Sequence, residues 1–438
     1  MPMIAHVNIW WGILGLTPLI LYFVLILCNV DVLPATLICV LIGAVLTHQS
    51  LLTLGDAVAH AMTSFLALVG LIIMLGRGLG EVLTETRVTH TLVHKIIYGI
   101  GVDTEKKAMT GIMVSVLVVV GLLGTLAGGN AIIAPIIVPI AAAVGLSRSS
   151  VAIMFQTAGE EALILGPFTP PVITLLGLTH ITYPEMLWKV AIPISCVTFT
   201  TSWFVLQRVQ RATRNKPEAQ YKTDKDIETF VPTAKEKRTT WIFILLFIAL
   251  VVYGLLTKAS TSYIIVIMLG LSVVIGLIGG LKLNQTFKSV IKGMASNVWL
   301  FLLFLLLEPF LNFVEQAGGY AALTRIMQPL VNLGGKAMVV VSAGVLGAFG
   351  FSGAAVAVLK MLNDMFHPMV VRYSISMFAW SVALVVATRV TNFVHPGANM
   401  FSSMGFAESK DLKSMFKNGI AIAVAQIAFL VIYAFLFV

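Results

Sequence analysis

Two acidic residues stand side by side, Glu160-Glu161, with no other charge between Phe155 and Pro167. Neighbours on a helix point about 100° apart, so one of the two can face a cavity while the other does not. An ionised carboxylate in such a place holds sodium, and a protonated one carries a proton. A structural ion pair, or a position at the membrane surface, would use the same residues. The run Thr391-Asn392-Phe-Val-His395-Pro396-Gly397-Ala-Asn399 is the most polar stretch within an apolar surround. Its amides both donate and accept, and His395 can donate or take up a proton. In Gly128-Gly129-Asn130, followed by Pro135 and Pro139, the glycines permit a sharp reversal and close approach of backbone to a ligand. Asn130 can bind that ligand or cap the next helix. In Gly166-Pro167-Phe168-Thr169-Pro170-Pro171 the prolines remove N–H donors and leave carbonyls for a cation or polar ligand. Ser352-Gly353 answers the first of these segments further along the chain.

The candidate ligand- and ion-binding residues are therefore Gly129, Asn130, Thr169, Pro170, Ser352, Gly353, Thr391, Asn392, His395 and Asn399, with Glu160 or Glu161 as the coupling carboxylate. Arg372 and Arg389 could supply positive charge to an anion. Lys360 and Asp364, four apart, are expected to neutralise each other. Arg77, Glu81 and Glu85 share one helical face and fit an ion-pair stripe along their own helix.

These residues need a frame, and the composition names it. Of 438 residues, 58% are hydrophobic and only 11% charged, against about 25% in an ordinary soluble domain. Mean hydropathy is +0.98. A soluble fold of this size cannot bury so much apolar surface, which excludes a soluble enzyme, a disordered chain and a secreted disulfide scaffold. Runs such as Ile242–Leu256 are continuously apolar rather than alternating, so the crossings are helices and not barrel strands. The net charge of +9 fits basic cytoplasmic loops better than nucleic-acid binding. Cys28, Cys39 and Cys196 lie in apolar runs without metal-ligand spacing.

One segment breaks the apolar pattern. Residues 207–240 hold nine Lys/Arg and five Asp/Glu, with Pro217 and Pro232, and read as a basic cytoplasmic linker. It separates 1–206 from 241–438, and the two parts resemble each other. Gly121-Leu-Leu-Gly124…Gly129-Asn130-Ala131 matches Gly344-Val-Leu-Gly347…Ser352-Gly353-Ala354 at an offset of 223. Phe168-Thr-Pro-Pro171 matches Phe393-Val-His-Pro396 at 225, and Leu51…Val58…Met62 matches Leu283…Val290…Met294 at 232. Each half gives apolar helices, then an amphipathic stretch, a crossing, an irregular region and a closing helix. Duplicated halves with interrupted apolar segments in matching places point to the binding site of a transporter, because bare backbone at membrane depth survives only inside protein or beside a wet cavity. The expected fold is an all-α, polytopic helix bundle of two homologous, inverted repeats, each with a re-entrant hairpin and a broken helix.

The layout resembles the ion transporter superfamily of secondary carriers, which includes gluconate permeases, citrate symporters, dicarboxylate carriers and several sodium/proton antiporters. Gly129-Asn130-Ala131 with Pro135 and Pro139 looks like the Ser-Asn-Thr hairpin tip of the divalent-anion/sodium symporters, with Gly for Ser and Ala for Thr. Gly166-Pro-Phe-Thr-Pro-Pro171 is similar to the Gly/Pro-rich turn of gluconate and citrate permeases. The resemblance implies paired hairpins, an organic anion bound near the midplane, and a homodimer, as carriers of this layout often are. The expectation is an inner-membrane secondary transporter of a small carboxylate, driven by protons or sodium, with no cofactor beyond a sodium ion and no nucleic-acid partner. A sodium/proton antiporter without organic substrate is the alternative. No His-Glu-x-x-His, Gly-x-Ser-x-Gly or Gly-x-x-x-x-Gly-Lys-Ser/Thr motif occurs, so neither an intramembrane enzyme nor an ATP-driven pump is expected.

Overall fold

The structure, a computed structural model, describes residues 9–28, 30–101, 104–221, 230–257, 259–347 and 355–438. Every regular element among them is helical, as lipid demands of a chain that must pair its own backbone groups. The first half runs α1 (Ile9–Gly15), α2 (Thr17–Leu27), α3 (Val32–Leu46), α4 (Leu51–Ala61), α5 (Phe65–Glu85), α6 (Val88–Ile100), α7 (Glu105–Leu123), α8 (Leu126–Ala143), α9 (Arg148–Leu165), α10 (Pro170–Thr179), α11 (Tyr183–Met186) and α12 (Ile192–Thr213). A π-turn over Leu187–Ala191 joins α11 to α12. Pro193 lacks the N–H that would close an ordinary turn there. The second half runs α13 (Ala234–Leu256), α14 (Tyr263–Gly279), α15 (Leu283–Ala295), α16 (Val298–Gln316), α17 (Gly319–Leu346), α18 (Ala355–Arg372), α19 (Met377–Val394), α20 (Ala398–Phe406) and α21 (Leu412–Phe437). α17 turns at Gly335, whose φ of 63° only glycine adopts readily. Among the described residues, ten helices are long and apolar enough to cross a bilayer.

α9 and α19 are followed by the same local sequence of elements. Ser147 caps α9 and Ser376 caps α19, each hydroxyl accepting from the backbone N–H three residues on. Each half then breaks the chain: 166–169 separates α9 from α10, and 395–397 separates α19 from α20. The short helices after the breaks cross over. α10 packs on α18 of the second half, and α20 packs on α8 of the first. Each short helix is thus seated against a helix from the other side of the linker. Packing in lipid depends on close contact more than on water exclusion. Gly419 of α21 shows how close: a Cβ there would overlap the Phe393 carbonyl, just ahead of the second break.

Several sequence expectations change. The irregular chain expected over Gly128–Pro139 is helical. α8 runs through it, and the reversal falls earlier, at Gly124 (φ 68°). Pro135 and Pro139 instead deprive the carbonyls of Ala131 and Pro135 of their helical donors. The first apolar stretch is divided at Leu16 into α1 and α2, with Pro18 in the first turn of α2. The linker is shorter than 207–240, because α12 reaches Thr213 and α13 starts at Ala234. Nor is it wholly solvated: Tyr221 is buried, and its hydroxyl donates to the Ala407 carbonyl at 2.9 Å.

Candidate functional site

α9 and α19 are uniformly buried, and they carry the chemistry. Glu160 lies opposite Arg389, both fully buried. The Arg389 Nη1 donates to Glu160 Oε2 at 2.7 Å and to the Glu160 backbone carbonyl at 2.5 Å. Asn392 Nδ2 donates to Oε2 at 2.9 Å, and Asn399 Nδ2 to Oε1 at 2.7 Å. Asn399 sits in the first turn of α20, so the carboxylate also faces the positive end of that helix. Two charges taken out of water cost several kcal/mol each, and a buried pair persists only when its remaining hydrogen bonds are made. On the carboxylate they are made. On the guanidinium they are not: Arg389 Nε and Nη2 are buried without a hydrogen-bond partner among the described residues.

Three further polar groups close round this pair. Gln156, one turn before Glu160, donates to the Asn392 carbonyl at 3.2 Å and leaves its Oε1 unpaired. Asn130 donates to Ser403 of α20 at 3.3 Å, and its Oδ1 is likewise unpaired. Glu160, Asn392 and Asn399, predicted from two separate stretches of sequence, thus gather in one place with Arg389, and Asn130, from a third stretch, bonds to the helix that carries Asn399. Gln156 and Ser403 were not anticipated. Each stands four residues from a candidate, on the same helical face as Glu160 or Asn399, and that spacing was the available signal.

Other candidates lie differently. Glu161 points away from Glu160, toward α12, where Ser195 Oγ donates to its Oε2 at 2.6 Å. Thr169 spends its hydroxyl on the carbonyls of Leu163 (2.6 Å) and Gly166 (2.9 Å), closing the first break rather than facing a ligand. Thr391 donates to the Gly347 and Ala387 carbonyls, tying α19 to the end of α17. Pro170 opens α10 at its first position, where a missing N–H costs nothing. Gly129 provides close helix packing, since a Cβ there would meet Val120 of α7 at 2.5 Å. His395 is partly buried at the end of α19. Ser352 and Gly353 lie outside the described residues. The expected stripe along α5 is replaced by pairs across to α15: Lys292 with Glu81 at 2.5 Å, and Ser289 with Glu85 at 2.6 Å. Lys360 and Asp364 do pair, at 2.5 Å. The Arg372 guanidinium lies 5.6 Å from the ring centre of Tyr373. Among the described residues, no group of three His, Cys, Asp or Glu side chains could hold a metal ion.

Residues 2–210 match the family model of the C4-dicarboxylate anaerobic carrier, DcuC. No curated protein matches the chain. Among solved structures, the YdaH transporter of Alcanivorax borkumensis is 18% identical, with a TM-score of 0.56 over 87% of this chain and 88% of that one. MtrF of Neisseria gonorrhoeae, described as illuminating a class of antimetabolite efflux pumps, is 14% identical, with a TM-score of 0.55 over 88% of this chain and 85% of that one. The chain has the fold of membrane transporters. Ten helices among the described residues are long and apolar enough to cross a membrane, as that fold requires.

Proposed function

We propose that the protein moves a small dicarboxylate across the inner membrane by secondary active transport, and that Arg389 receives one of the substrate's carboxylates. The observation that carries this is the state of the Arg389 side chain: fully buried, held by Glu160 through Nη1, and with Nε and Nη2 unpaired. Those two nitrogens share an edge of the guanidinium, and their parallel N–H groups match the two oxygens of a carboxylate. Glu160 orients the fork and balances its charge while the site is empty. Asn130 and Gln156, with unpaired oxygens nearby, are suited to a hydroxyl, a protonated acid or a water carried with the ligand. The family model matched by residues 2–210 is that of a C4-dicarboxylate carrier, which agrees with this chemistry.

Glu160, Arg389 and Asn392 are too deeply buried to be reached from either face without movement. α20 leads from Asn399 at the site to Ala407 at the linker side, and α10 begins at the other break. We read these two short helices as the parts that open alternately, and 1–206 and 241–438 as duplicated units joined by the linker.

Ligand-dependent thermal stability of the purified protein tests the reading. Succinate at about a hundred times its Kd should raise stability by about 2.7 kcal/mol, and its diamide should not. The pair variant Glu160→Gln with Arg389→Gln leaves no unmatched charge, so it should fold and show no succinate effect. Equal stabilisation of wild type and pair variant would remove Arg389 from the site.

A further inference from the structure

Glu161 belongs to a second polar cluster, separate from the one around Arg389. It is fully buried, as are Thr198 of α12 and Gln426 of α21, and Ser195 is nearly so. Ser195 donates to Glu161 Oε2 at 2.6 Å, and Thr198 lies beside the same carboxylate. Gln426 Nε2 donates to Thr198 Oγ1 at 2.7 Å, and Thr198 donates in turn to the Ile194 carbonyl at 3.0 Å. Two acceptor oxygens are left over in this cluster, Glu161 Oε1 and Gln426 Oε1, both buried without a donor among the described residues. Unpaired acceptors out of water are costly, and two of them around one hydroxyl mark a place where something carrying positive charge or a donor hydrogen belongs.

We propose that Glu161, Ser195, Thr198 and Gln426 form the coupling site of the carrier, and that the coupling ion it takes is a proton, bound on Glu161 Oε1. The inference rests on the transport reading above. Sodium would need several oxygens at once, and carriers supply them largely from unwound backbone. Here α9, α12 and α21 run as continuous helices through Glu161, Ser195, Thr198 and Gln426, with no unwound backbone at the cluster. A proton needs a single acceptor, and once bound it supplies the donor that the cluster lacks. The hydroxyls of Ser195 and Thr198 and the amide of Gln426 hold the carboxyl in both states. The charged groups that bear on Glu161 are Arg389 of α19 and Glu160 on its own helix. The charged residues of the other elements packed on α9, namely those of α7, α12, α21 and the π-turn with its Lys189, do not act on this carboxyl, and α8, α10 and α20 carry none.

Adjacent positions on α9 thus address the two clusters. Glu160 reaches the substrate fork, and Glu161 reaches the scaffold formed by α12 and α21. A proton taken up by Glu161 from one side of the membrane and given up to the other changes the charge of α9 by one unit, at the residue next to the anion site. That is a direct link between proton occupancy and the affinity for a carboxylate.

The experiment uses the full chain in proteoliposomes with radiolabelled succinate, comparing net uptake driven by an imposed pH gradient with counterflow against internal unlabelled succinate. Wild type should show both, with net uptake insensitive to sodium. Glu161→Gln is expected to lower pH-driven uptake at least about tenfold while counterflow persists and loses its pH dependence. Gln426→Leu, which leaves every titratable group in place, is expected to weaken pH-driven uptake relative to counterflow in the same sense. Sodium-driven uptake in wild type, unaltered pH-driven uptake in Glu161→Gln, or loss of both activities together in both variants would overturn the proton site. Absence of succinate counterflow in wild type would instead count against the dicarboxylate reading itself.

Discussion

At the scale of single residues, the central feature is an unequal pair. Glu160 has its oxygens filled by Arg389, Asn392 and Asn399, whereas Arg389 keeps two nitrogens, Nε and Nη2, unpaired among the described residues. Removing one member strands the other charge in a buried site, which costs about 3–5 kcal/mol. Arg389→Gln alone should therefore lower the melting temperature sharply in detergent, and adding Glu160→Gln should restore much of the loss without restoring succinate binding. Recovery of binding along with stability would show that the arginine matters only to folding. Arg389→Lys keeps the charge but not the planar fork, and succinate affinity should fall by about tenfold or more. Much of this constellation was legible beforehand. Glu160, Asn392 and Asn399 stand out as polar residues in apolar surroundings, and such residues rarely sit in membrane helices without a partner. What the sequence could not convey is pairing. Thr169 and Thr391 looked equally available, but their hydroxyls close on nearby carbonyls. Gln426, a lone amide in the apolar run of α21, carries the same kind of signal as Glu160.

At the scale of elements, the two breaks at 166–169 and 395–397 were anticipated from proline and glycine spacing, and they hold because each is packed in protein. Gly419 is the support for the second: any side chain there meets the Phe393 carbonyl. Gly419→Val should cost about 1–3 kcal/mol through overpacking, read as a lower melting temperature, and should impair succinate binding because the break carries Asn392 and Asn399. A normal melting temperature in that variant would argue against such tight apposition of α19 and α21. The expected break at Gly128–Pro139 failed for a plain reason. Two prolines four residues apart weaken a helix but do not end it when neighbouring helices hold its sides, as α7 and α9 do for α8. The linker-side ends of α9 and α21 are fastened by Asp411, which accepts from Ser149 at 2.9 Å and from the Ser414 N–H at 3.0 Å. Burial pushes that carboxyl up, but the hydrogen bonds from Ser414 and Ser149, with Lys216 nearby, outweigh it, and its pKa lies below the ordinary 3.8. A lowered folded-state pKa contributes stability above the unfolded value and loses it as pH falls through the folded one. The melting temperature should therefore decline below about pH 4, and Asp411→Asn should remove part of that decline. An identical acid profile in the variant would show that other carboxylates dominate.

At the scale of the whole molecule, composition alone excluded the soluble classes, and the all-helical, many-span character was visible in the long apolar runs. The crossing-over of α10 and α20 was not, because it depends on which half each short helix packs against, and local pattern carries no such information. It has a consequence that labelling can read. If α20 opens toward the linker side, a cysteine at Ser403, in a chain with Cys28, Cys39 and Cys196 replaced, should react with a membrane-impermeant thiol reagent from that side only, and succinate should slow the reaction. Labelling from both sides at equal rates would contradict a gated path.

The most direct test of the account is succinate counterflow in proteoliposomes, with wild type set beside the variant carrying both Glu160→Gln and Arg389→Gln. The account predicts rapid exchange of labelled for unlabelled succinate by the wild type and background exchange by the folded variant. Equal exchange by both proteins would contradict the claim that the buried arginine fork is where the dicarboxylate binds.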